Sequence, residues 1–138
     1  MASTEIKDNV DLKNYIQELN DDIHLSISNL REKSLSVSAI RAKWLAYYFK
    51  EKENLERIKK AKAKIISQKT AGIKLNDSVL RMKSEEKIVK EDENVKKLNV
   101  LSENTKANID YIERCFNILD DFGFSIKNAI ECMKLERS

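Results

Sequence analysis

AIRAKWLAYYFKEKENLERIKKAKAKIISQK, spanning Ala39–Lys69, reads as one helix with two contrasting faces. At about 100° per residue, Ile40, Trp44, Tyr47, Tyr48, Leu55, Ile58, Ile65 and Ile66 fall on a single flank, the stripe that has to meet a core or another subunit. On the opposite flank Lys43, Lys50, Arg57 and Lys64 recur every seven residues, with Lys60 between the last two. A line of positive charge therefore runs along the side facing away from the apolar stripe. Glu53 interrupts it from a position where it can pair with Lys50 and Arg57. Lys62 and Lys69 lie on the apolar flank, where each must snorkel or face an opening. The aromatic run WLAYYF (Trp44–Phe49) offers rings that could stack bases, but aromatics at helical spacing more often fill a core, and Trp44 is expected there.

Composition extends this helix to the whole chain. The 138 residues contain no proline and two glycines, with 41% hydrophobic and 36% charged side chains. That is strong helix chemistry with almost no turn residues for a sheet, so the expected class is all-α: an elongated helical subunit forming a single domain over residues 1–138. The core is thin for the chain length, and burial shared with other subunits would help it. No run of about 18 apolar residues exists, and the first residues lack the charged-then-apolar pattern of a secretory signal. A cytosolic protein that does not enter a membrane is expected. Cys115 and Cys132 would lie roughly 25 Å apart on one helix, too far for a disulfide, so both are expected reduced.

Charge is segregated along this chain. Residues 1–40 hold four basic and seven acidic side chains, whereas residues 41–69 hold ten basic and three acidic. In the first of these segments, Asp8 and Asn9 can cap an amphipathic helix within residues 1–33, whose face is Ile16, Leu19, Ile23, Ile27 and Leu30; Ser34–Ser38 is expected to be a joint. The basic helix occupies 36–70. Residues 71–90 are expected to be a loop at AGIKLNDS (Ala71–Ser78) and then a short element, helix in preference to a small hairpin. Over 91–136 a second long helix carries Val95, Leu98, Ile109, Ile112, Phe116, Leu119, Ile126, Ile130 and Met133 at steps of three and four. Beside that seam lie Cys115, Phe122 and Ala129, leaving little polar surface. Such a helix wants neighbours on several sides, so Ile109, Ile112, Phe116, Leu119, Phe122, Ile126, Ile130 and Met133 are expected to hold a symmetric oligomer together.

Catalytic constellations are missing. The one histidine, His24, has no nucleophile or metal partner in the pattern, neither glycine belongs to a phosphate loop, and the acidic runs KEDEN and LDDFG lack the spacing of a calcium loop. No enzyme activity, cofactor or metal is expected. The basic line instead suits a polyanion, because Lys and Arg release phosphate counterions. Lys43, Lys50, Arg57, Lys60, Lys62, Lys64 and Lys69 are the candidate DNA-binding residues. A coiled-coil scaffold without DNA affinity is the alternative; a duplex-binding regulator would need a helix-turn-helix or arm, and neither is evident.

Three segments in order, AKWLAYYFKEKENLERIKKAKAK, KSEEKIVKEDENVKKL and FGFSIKNAIECMKLE, resemble the UvsY family, the recombination mediator proteins of T-even-like phages. The resemblance covers roughly residues 35–138 and rests on the collinearity of a KWL segment, a KSE segment followed by an acidic turn, and a closing GF-x-IK helix. It implies a non-catalytic oligomer, a ring of six or seven subunits, in the cytoplasm of the infected host. It also implies three partners: single-stranded DNA, a RecA-like phage recombinase (UvsX in that family) and the phage single-strand-binding protein. One departure matters. The family's basic Lys-x-Arg pair, tied to DNA binding, aligns without gaps from Trp44 onto Ser67 and Lys69, so only Lys69 keeps its charge; Lys62 and Lys64 have the same spacing five residues earlier.

Overall fold

In the computed structural model, residues 9–71 and 78–137 are described, the side chains of 78–81 excepted. Among the described residues four α-helices follow one another: α1 (Val10–Asp22), α2 (Leu30–Thr70), α3 (Ser78–Glu91) and α4 (Glu93–Arg137), with a 3-10 turn at Ile27–Asn29 before α2. Among the described residues there is no strand, so the fold is all-α and the element between the long helices is helix α3, not a hairpin. Of the loop predicted at Ala71–Ser78, residues 72–77 lie outside the described residues, and Ser78 already begins α3.

α2 and α4 form the frame. At about 1.5 Å per residue the 41 residues of α2 span about 60 Å. The two helices run antiparallel in one register, shown by cross-helix partners Arg41–Asp120, Tyr48–Glu113, Glu51–Asn108 and Lys69–Asp92. The residue numbers of each pair add to between 159 and 161. Constant pairing over that length needs a continuous apolar seam on each helix, supplied on α2 by buried Leu30, Ile40 and Trp44 with half-buried Leu55, Ile58, Ile65 and Ile66, and on α4 by Val95 and the Ile109 to Ile126 seam. α1 fills the third side of one half, where Tyr15 and Leu19 pack with Ile40, Trp44, Ile112, Cys115 and Leu119. α3 packs against α2 and α4 at the other end.

Two boundaries differ from expectation. The first helix stops at Asp22, and Ile27, expected on its apolar face, is 90% exposed. Here Asn29 accepts from the Ser26 backbone amide at 2.7 Å and donates to the His24 carbonyl at 3.0 Å, a local network that ends one helix and starts the next. The serine-rich joint at Ser34–Ser38 is instead continuous helix: α2 begins at Leu30, whose buried side chain packs with Phe122 and Ile126, and this burial outweighs the weak helix preference of the serines. Trp44 is fully buried as expected, and its indole Nε1 donates to Asp22 Oδ2 at 2.9 Å.

A polar network crosses the core. Asn9 accepts from the Leu12 amide at 3.1 Å, capping α1, while its Nδ2 donates to Asn108 Oδ1 at 2.9 Å. Asn108 Nδ2 then donates to Glu51 Oε2 at 3.2 Å, and Tyr15 OH donates to Glu51 Oε1 at 2.9 Å. Glu51 is buried and held only by neutral donors, which ties α1, α2 and α4 to one another through one carboxylate. Burial first, and then the Glu51 hydrogen bond, raises the Tyr15 pKa well above that of an ordinary tyrosine, keeping the hydroxyl protonated as a donor.

Candidate nucleic-acid interface

The positive line predicted on α2 is divided by the fold. At its N-terminal end, Lys43 forms ion pairs with Asp22 Oδ2 at 2.7 Å and Glu18 Oε2 at 3.2 Å, both from α1. Burial alone would lower the Lys43 pKa, but the hydrogen bonds that its ammonium donates to Asp22 and Glu18 outweigh it and raise the value. Lys43 is thus a neutralised tie between α1 and α2 and leaves the line of free cations. Beyond the reach of α1 the line reappears: Lys50, Lys60 and Lys64 are exposed and form no ion pair among the described residues. Arg57, also exposed, pairs with Glu53 at 2.8 Å; Glu53 makes no corresponding pair with Lys50 among the described residues.

The two lysines expected on the apolar flank part ways. Lys62 is half-buried. Lys69 reaches across to Asp92, the single residue that interrupts helix between α3 and α4. Asp92 also accepts from the Val95 amide at 2.9 Å and so caps α4. The Lys69 ammonium and then this backbone donor hold the Asp92 carboxyl below the usual carboxylate range. Lys69 therefore pins the α3–α4 joint to the end of α2, a role that no pattern within α2 could signal because the partner lies 23 residues away. Sequence reasoning also passed over Lys52, whose ammonium lies 5.3 Å from the centre of the Tyr48 ring.

The seam assigned to oligomerisation is placed differently from the reasoning behind it. Ile109, Ile112, Leu119, Phe122 and Ile126 are buried inside the subunit, and Phe116, Ile130 and Met133 are half-buried against the same clusters. α1 and α2 cover the apolar surface that seemed to need other subunits. What α4 still presents to solvent is Leu101, Ile118, Phe124 and Leu135, with Phe124 64% exposed.

No cluster of His, Cys, Asp or Glu able to hold a metal ion occurs among the described residues, and no helix there is long and apolar enough to cross a membrane. Cys115 is buried, which pushes its thiol up to about 11, while Cys132 is exposed.

Comparison with known proteins agrees with this geometry. A family model described as recombination, repair and ssDNA binding protein UvsY matches residues 18–138. A crystal structure of the bacteriophage T4 recombination mediator protein UvsY, lattice type IV, superposes with a TM-score of 0.72 at 19% identity, covering 92% of this chain and 98% of that one. The lattice type II structure of the same phage protein gives 0.70 at 18% identity, covering 91% and 97%. At this identity the structural likeness shows the shared helical fold. No curated protein sequence matches the chain. The family match, spanning most of the chain, settles the resemblance seen in the sequence: the chain belongs to the UvsY family of recombination, repair and single-stranded DNA binding proteins.

Proposed function

We propose that this chain is a phage recombination mediator: an oligomer that binds single-stranded DNA and helps a RecA-like recombinase of the UvsX type load onto DNA covered by single-strand-binding protein. The observation that carries the reading is the set of cations on the outer flank of α2 that the fold leaves unneutralised, Lys50, Lys60 and Lys64, with Arg57 exposed among them. Phosphate contacts from such residues carry no base information, which suits a protein that must act on any sequence. A ring of six or seven subunits would set several copies of this flank side by side, and the place of action is the cytoplasm of the infected host. No catalytic role is assigned. Of the seven candidate residues, Lys50, Arg57, Lys60, Lys62 and Lys64 are the strand-binding residues, whereas Lys43 and Lys69 act through their carboxylate partners.

The test is a salt titration. Replacing Lys50, Lys60 and Lys64 with alanine is expected to weaken binding of every single-stranded oligonucleotide similarly and to flatten log affinity against log salt by up to about 0.7 per lost contact. An unchanged slope would move the strand elsewhere and favour a scaffold without this DNA track. Recombinase filament formation on DNA coated with single-strand-binding protein then tests the mediator step, with the triple variant expected to stimulate it poorly.

A further inference from the structure

Away from the lysine line, one surface strip, exposed at Phe49 and half-buried at Tyr48 and Phe116, brings aromatic rings and cations together. The Tyr48 ring packs edge-on against Phe49 of α2, centroids 5.7 Å apart, and against Phe116 of α4 at 6.0 Å. Two of the rings carry a cation: the Arg41 guanidinium lies 5.5 Å from the centre of the Phe116 ring, and the Lys52 ammonium 5.3 Å from that of Tyr48. Phe49 is 61% exposed, and Leu45 beside it is exposed as well. Core packing does not account for Phe49, since the aromatic cluster of Tyr15, Trp44 and Tyr47 already fills the space between α1 and α2.

We propose that this strip is a base-stacking platform for single-stranded nucleic acid, with bases laid on Tyr48, Phe49 and Phe116 and phosphates held by Lys52 and by Arg41, whose half-exposed guanidinium shares its charge with Asp120. This rests on the single-strand binding proposed above and explains its selectivity. A line of lysines alone neutralises duplex phosphates at least as well as those of a single strand, because the duplex carries the denser charge. Unpaired bases, by contrast, have free faces, and stacking on aromatic rings is open to every base while a duplex has none to offer. Arg41 and Lys52 lie about 16 Å apart along α2, a span that fits a few extended nucleotides. The acidic groups facing the strip define its polarity: Glu113 accepts from the Tyr48 hydroxyl at 3.4 Å, and Asp120 pairs with Arg41 at 3.3 Å, both from α4. Phosphates therefore run on the α2 side, where Lys59, paired with Glu56, continues the flank from Lys52. A protein surface docked on Phe49 and Leu45 would have to desolvate both cations, so the charge favours nucleic acid as the occupant.

The experiment uses the full chain, its Phe49→Ala and Phe49→Tyr variants, and fluorescence anisotropy on labelled oligo(dT), an abasic strand of equal length and a duplex. Wild type is expected to bind oligo(dT) at least about fivefold more tightly than the abasic strand. Phe49→Ala should remove most of that preference while leaving abasic binding unchanged, and Phe49→Tyr should retain it; circular dichroism checks that both variants fold. Equal wild-type affinity for oligo(dT) and the abasic strand would overturn the platform and leave single-strand binding standing. Binding to neither would overturn both. A Phe49→Ala variant with a changed sedimentation coefficient and an intact base preference would make the strip a contact between copies and overturn the proposal.

Discussion

Glu51 shows how one side chain can decide which neighbours are tolerated. Its carboxylate accepts from the Tyr15 hydroxyl on one oxygen and from Asn108 Nδ2 on the other, and Asn108 Oδ1 is already engaged by Asn9. Glu51→Leu is close in volume, yet it leaves the Tyr15 hydroxyl and Asn108 Nδ2 without their acceptor, and Asn108 cannot turn over without losing Asn9. The expected cost is about 1–3 kcal/mol in urea unfolding, far more than such an exchange at a surface site. An unchanged unfolding midpoint would mean that the network is not closed as described. Asp92 gives a pH-dependent counterpart. Its pKa is depressed in the folded state, so the stability it contributes is present above the unfolded carboxylate value of about 3.9 and is lost as pH falls through the lower folded value. Asp92→Asn keeps a capping side chain but discards the charge that Lys69 pairs with. Its melting temperature should fall below wild type at neutral pH, and the two should converge below about pH 4 as wild-type Asp92 protonates. A constant gap across that range would detach the effect from the carboxylate. Neither role was legible in the sequence, where Glu51 and Asp92 sit among many acidic residues and only packing singles them out.

Among the helices, α4 is where periodicity was most informative and its interpretation least complete. Steps of three and four identified the residues that leave water, and they do leave water, but the spacing is silent on whether the covering helix comes from the same chain. Here α1 and α2 provide the cover. Placing a charge at Ile126 is consequently expected to unfold the subunit: an unpaired buried charge costs several kcal/mol, and circular dichroism should show loss of the cooperative transition. Phe124→Ser, at a side chain 64% exposed, should leave helix content and melting unchanged while lowering the sedimentation coefficient if copies meet along this flank. A folded Ile126→Lys protein of reduced size would return the interface to the buried seam. The start of α2 carries the same lesson: Ser34–Ser38 has weak helical preference, and the decision to stay helical is made by Leu30 and Ile40 burying against other elements.

Across the molecule, the antiparallel pairing of α2 with α4 places the three-helix core with α1 at one end and the C-terminal half of α2, with α3, at the other. Residues 52–71, at that second end, carry seven basic side chains against two acidic ones, so the positive surplus lies where α1 does not reach. Along the outer flank of α2, Lys50, Lys60 and Lys64 form no ion pair among the described residues, a weak track for one strand, and several copies would raise the effective concentration of sites. A folded variant that no longer self-associates is expected to lose most of its affinity for long oligonucleotides with all its lysines in place; analytical ultracentrifugation paired with anisotropy checks this, and a monomer binding as tightly as the parent would remove avidity from the account. The all-α class, the two long helices and the basic segment were legible from composition and period, because helix propensity and amphipathic spacing are local properties of the chain. Which cations stay free was not. Lys43, Lys50 and Lys64 are equivalent members of one heptad line until α1 folds back and brings Asp22 and Glu18 to Lys43, just as Lys69 is one lysine among many until the α3–α4 joint arrives with Asp92. Charge neutralisation depends on distances of a few ångströms between residues far apart in the chain, and those distances exist only once the helices have packed.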